Sequence, residues 1–149
     1  MSAIEKFADW GLTFHKPETE QVTLPSDITD VGSEELGNLY TRLTSWSDYI
    51  ASQLTMAQLE ERAALKAKEF KENTMLVRRM GAQAKGERVT TVKAEIAVDP
   101  DVVQLDNDYE EKYAYRKLVE MLLNNHERDL QLVSREITRR SNESRKAYL

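Results

Sequence analysis

The sequence predicts a mainly α fold, two long amphipathic helices in a hairpin with a short β segment between them, assembling as a homo-oligomer. Three observations carry this. Leu36, Leu39/Tyr40, Leu43, Trp46, Ile50, Leu54 and Ala57 recur at three- or four-residue steps, and no breaker interrupts the pattern before Gly81. Val119, Leu122, His126, Leu130, Val133 and Ile137 form a second such series at heptad-like spacing. Between them Val92, Ala94, Ile96 and Val98 alternate with Lys93, Glu95 and Ala97, the period-two pattern of one strand with a buried face.

Residues 1–32 read as an acidic arm, partly ordered, with a short helix over Ala3–Trp10 and turn-rich sequence around Pro17, Pro25 and Gly32. The arm lacks periodicity, so its order is expected to come from a partner. Residues 33–149 form the second region. Ser33 is a good N-cap, followed by Glu34 and Glu35 where the helix dipole favours acids. The helix it opens spans about 70 Å at 1.5 Å per residue if unbroken, too long to fold around itself. Gly81 to Gly86 reads as a polar loop, and the strand after it needs an edge from the arm or from another subunit. Asp99-Pro100 marks a helix start, Asp as N-cap and Pro at the first helical position. Asp108 with Glu111 is an alternative restart through a capping box. The second long helix runs to near Arg145. The two stripes exceed what one hairpin needs to cover, which assigns Val119, Leu122, Leu130, Val133 and Ile137 to oligomerisation.

Composition bounds the function classes. The chain has 149 residues, enough for one compact domain, yet only 40% are hydrophobic and 32% are charged, the balance of an elongated or oligomeric protein. Without cysteine there are no disulfides, thiol nucleophiles or cysteine metal sites. Met1–Trp10 is interrupted by Glu5, Lys6 and Asp9, so no signal peptide is read, and no apolar run approaches a membrane span. The default location is cytoplasmic, or the host cytoplasm for a viral chain.

Catalytic motifs fail on inspection. Gly81-Ala82-Gln83-Ala84-Lys85-Gly86 has the glycine spacing of a phosphate loop, but Glu87-Arg88 stands where Lys-Ser/Thr would reach phosphate and magnesium. Asp106-Asn107-Asp108 opens like a calcium loop, with Glu111 in place of the glycine at its sixth position. His15 and His126 are the only histidines, and no spacing supplies either with metal-ligating partners; His126 in the apolar stripe reads as an interface residue. With no Ser/His/Asp grouping and no distinct carboxylate pair, the chain reads as a non-enzyme without cofactor or metal.

The feature left over is charge. Residues 62–93 hold nine cations, Arg62, Lys66, Lys68, Lys71, Arg78, Arg79, Lys85, Arg88 and Lys93, against three acids, a local +6 in a chain of net −5. Such an island concentrates a polyanion, although a solvated helix face has the same composition. Arg62/Lys66 and Lys68/Lys71 lie one turn apart, a ladder of point charges that positions phosphates without reading bases. That suits single-stranded nucleic acid, with Arg62, Lys66, Lys68, Lys71, Arg78, Arg79 and Arg88 as the contacts. Phe70, Tyr40, Tyr49 and Trp46 are candidate stacking partners, though all four fall at core-like spacing.

Ala64-Leu65-Lys66-Ala67-Lys68 resembles the Leu-Lys-Ala-Arg motif with which the phage UvsY family of recombination mediators binds single-stranded DNA. Lys68 stands where that motif has arginine, keeping the charge without the planar fork. Asp99-Pro100-Asp101-Val102-Val103-Gln104-Leu105-Asp106, at nearly the family's separation, is similar to its Lys-Asp-Val-Leu-Lys-Val-Asp region, and the likeness covers roughly residues 36–140. The resemblance implies a ring, typically a heptamer, and a mediator that loads a recombinase onto single-stranded DNA in place of single-strand-binding protein, with Lys66 and Lys68 on the DNA. The alternative is a helical structural or adaptor oligomer whose island meets an acidic protein partner.

Overall fold

The computed structural model describes residues 2–82 and 88–149. Its elements are α1 (Ala3–Asp9), a single 3-10 turn at Ile28–Asp30, α2 (Ser33–Ala82), α3 (Val89–Ala97) and α4 (Pro100–Ala147). The mainly helical class and the two long helices packed on each other match expectation. The expected loop at Gly81 to Gly86 falls largely outside the described residues.

The β segment is corrected: Val92 to Ala97 belong to the helix α3, and Val98 caps its C-terminus. Val92 and Ile96, one helical turn apart, are both buried, whereas Val98, which a strand would place on the same face, is 73% exposed. A lone strand leaves its ladder groups without partners, while a helix satisfies them internally. Valine and isoleucine raised the strand propensity, and the packing of the Val92/Ile96 pair overrode it.

The chain forms two compact units. The first comprises Met1–Gln53 and Glu120–Leu149. Its core joins Leu36, Leu39 and Leu43 of α2 to Val133 of α4, and Val22 of the arm is buried with them beside Leu24, Val31 and Leu130. The arm is therefore ordered by its own chain. Trp46 Nε1 donates to the Thr19 carbonyl at 3.1 Å and Arg42 Nη2 to the Glu20 carbonyl at 3.0 Å, which ties this non-helical backbone to α2. Arg140 Nη2 donates to the Ile28 and Thr29 carbonyls, and its Nη1 donates to Ser33 Oγ. Ser33 is thus the first residue of α2 rather than its cap, and its hydroxyl is used tertiarily. At the N-terminus the expected helix is present as α1, closed by a capping box between Ser2 and Glu5.

The second unit is Leu54–Val119. Here α2 and α4 run antiparallel, with Glu61 opposite Arg116, Lys68 opposite Asp106 and Lys71 opposite Asp101. Val92, Ile96 and Val102 are buried together, with Met75 and Leu76 of α2 packed against them. Asp99 caps α4 as expected, its Oδ1 accepting from the backbone N–H groups of Asp101 and Val102. The alternative restart is not used, since Asp108 lies inside α4 and accepts from Gln104 Nε2.

Candidate nucleic-acid interface

The cationic island lies largely on the α2 stretch of the second unit, and helical periodicity divides it. At 100° per residue, positions 61, 68, 71, 75 and 79 share the side facing α3 and α4, while 62, 66, 70, 73 and 77 share the opposite side. The contacts follow that division.

On the inner side the cations are taken by the chain's own acids. Lys68 Nζ is 2.7 Å from Asp106 Oδ1 and 3.8 Å from Glu72 Oε1. The hydrogen bond to Asp106 holds the Lys68 ammonium above its usual pKa, with Asp106, Glu72 and Glu110 adding to the field. Lys71 Nζ lies 3.7 Å from Asp101, and Arg79 pairs with Glu95 of α3. The same seam holds a bidentate pair in which Arg116 donates from Nε and Nη2 to the two carboxylate oxygens of Glu61, at 2.7 and 3.1 Å. That contact depresses the Glu61 pKa. One turn away Lys112 reaches Glu60 at 3.2 Å.

Arg62 and Lys66 on the outer side, and Arg78 at its flank, are exposed and have no ion-pair or hydrogen-bond partner among the described residues. Arg88, exposed at the N-cap position of α3, makes no side-chain cap. Lys85 lies outside the described residues. Of the seven candidate DNA contacts, then, Arg62, Lys66, Arg78 and Arg88 are open, and Lys68, Lys71 and Arg79 are engaged.

The aromatic candidates also separate. Trp46 is buried and meets Tyr49 edge-on, a core arrangement. Phe70 is 75% exposed on the same face as Arg62 and Lys66. Core-like spacing in the sequence had hidden this. The signal that finds it is the i, i+4, i+8 series Arg62, Lys66, Phe70, which cannot face the core while its first two members carry unpaired charge.

The residues assigned to oligomerisation also have intramolecular contacts. Val133 is fully buried in the first unit's core with Leu130 against it, and Val119 is 9% exposed; Leu122 is half-buried and Ile137 is 37% exposed. His126 is buried, with Nδ1 3.0 Å from the Leu122 carbonyl, so it belongs to this chain's own packing. Asp106, Asn107 and Asp108, which only open like a calcium loop, are helical, and among the described residues no cluster of three or more His, Cys, Asp or Glu suits a metal. No described helix is long and apolar enough to cross a membrane.

Compared with protein-family models, curated proteins and solved structures, the chain matches none.

Proposed function

We propose that this chain binds single-stranded DNA without sequence choice and acts as a recombination mediator of the UvsY type, loading a recombinase in place of single-strand-binding protein. The observation that carries the reading is the open surface of α2, where Arg62, Lys66 and, at its flank, Arg78 are exposed and have no ion-pair partner among the described residues, in a protein of net charge −5. Three unneutralised cations within about 25 Å of helix attract a phosphate chain and release its counterions. Each contact is modest. A ring of subunits, a heptamer on the resemblance to the UvsY family, adds them into avidity, and the wrapped strand then exchanges one coating protein for another. The setting is cytoplasmic, and the chemistry required is binding alone.

Fluorescence anisotropy with single- and double-stranded oligonucleotides across a salt series tests the reading. The expected result is preference for single strands and a log affinity that falls with log salt. Arg62→Ala/Lys66→Ala should flatten that slope by about 1.4 per protomer engaged, at roughly 0.7 per phosphate. Absence of binding, or binding indifferent to salt, rejects the reading. The adaptor alternative would set the same open cations, Arg62, Lys66 and Arg78, against the carboxylates of an acidic protein. It predicts salt-sensitive capture of an acidic protein with no affinity for oligonucleotides.

A further inference from the structure

The second unit carries an open groove on the surface of α2, with the cation Arg78 in its lining. Phe70, Asn73, Thr74, Val77 and Arg78 line it, enclosing about 340 Å³. Phe70 and Val77, at 75% and 72% exposure, are apolar surface without a partner among the described residues. They are seven residues apart and so share one face. Lys66 lies one turn before Phe70 on that face, Arg78 lines the other end, and the exposed Glu69 adjoins Phe70 in sequence.

We infer that this groove takes an unpaired nucleobase, stacked on the Phe70 ring, while Lys66 and Arg78, about 18 Å apart along the helix, hold phosphates of the same strand some nucleotides apart. Charge complementarity selects the occupant. An apolar partner helix would bury Lys66 and Arg78 without counter-charge, whereas a single strand brings flat apolar bases together with a run of anions. Phenylalanine has no hydrogen-bonding group, so the ring accepts any base. Asn73 and Thr74 offer donors and acceptors at the edge of the groove. A base paired in a duplex cannot enter it, and that exclusion adds to the preference for single strands.

The inference rests on the single-stranded-DNA reading, so its test separates the two. Full-length wild type, Phe70→Ala and Phe70→Trp are titrated with oligo-dT and with an abasic strand of equal length and charge. Phe70→Ala is expected to bind oligo-dT about five- to a hundredfold more weakly with an unchanged salt slope, and to bind the abasic strand as wild type does. Phe70→Trp is expected to retain affinity and to show a quenched indole emission with oligo-dT alone. Wild-type oligo-dT affinity in Phe70→Ala, or an indole emission indifferent to oligo-dT, overturns the base pocket and leaves the DNA reading standing. No binding of either strand by wild type overturns both.

Discussion

Lys68 donates to Asp106 across 2.7 Å, joining the middle of α2 to α4 in the second unit. The lysine that the motif resemblance places on DNA is therefore engaged within the chain, whereas Lys66, two residues earlier, points to solvent. The two should respond differently to removal. Lys68→Ala is expected to lower stability by about 0.2–1 kcal/mol, the range of a partly exposed ion pair, and to leave the salt slope of oligo-dT binding unchanged. Lys66→Ala is expected to leave stability unchanged and to flatten the slope by about 0.7 per protomer. Urea denaturation and a salt titration on each variant decide it. A Lys68→Ala slope as flat as that of Lys66→Ala means the lysine leaves Asp106 for phosphate.

Glu136 governs a pH dependence in the first unit. Hydrogen bonds from Arg139 and then Arg140 hold its carboxyl well below the usual value of 4.5, at about 2, against the opposing effect of burial. Because the folded pKa is the lower one, the stabilisation is fully present above about pH 4.5 and is lost as pH falls toward 2. Arg140 also holds the arm at Ile28 and Thr29, so protonation loosens the arm as well. Thermal unfolding of wild type and Glu136→Gln between pH 6 and pH 2 should show the two curves converging in that window. Curves that stay parallel would falsify the assignment.

Helical periodicity made α2 and α4 legible, and Asp99-Pro100 located the start of α4 because cap and proline act locally. Tertiary pairing was not legible at that level. Val92 to Val98 satisfied a strand pattern and a helix pattern together, since an i, i+4 pair is contained in a period-two series. The choice depended on Met75 and Leu76, distant in sequence. For the candidate site, the charge count identified the island but could not tell Lys68 from Lys66. Only the antiparallel register that sets Asp106 and Asp101 opposite α2 divides the cations into engaged and open sets.

The Glu61–Arg116 pair should be the strongest polar contact of that register. Both side chains are less than one-fifth exposed and the contact is bidentate. Arg116→Ala is expected to cost about 1–3 kcal/mol, since it leaves a half-buried carboxylate without its donors. Arg116→Lys should recover only part of this, because an ammonium cannot match two carboxylate oxygens in one plane. Urea midpoints at pH 7 measure both. Full recovery by lysine would show that charge alone, rather than the fork, holds Glu61.

Val133 and Ile137 lie one turn apart on α4 and should separate folding from assembly. Val133 is completely buried among Leu36, Leu39 and Leu43, while Ile137 keeps 37% of its surface open, and Leu132 nearby keeps 45%. Val133→Ala removes two methyl groups from a closed core and is expected to cost about 2 kcal/mol of folding stability, without a selective effect on mass. Ile137→Lys should fold, because a lysine stem can follow the helix surface and leave its ammonium in water. In an oligomer that covers Ile137 the same ammonium is buried without a partner, at a cost of several kcal/mol, and assembly weakens. Light scattering across a concentration series should give wild type a mass above the 17.2 kDa of one chain and Ile137→Lys a lower one. A wild-type mass of one chain at every concentration refutes the homo-oligomer. Equal masses for wild type and Ile137→Lys instead move the interface away from this end of α4.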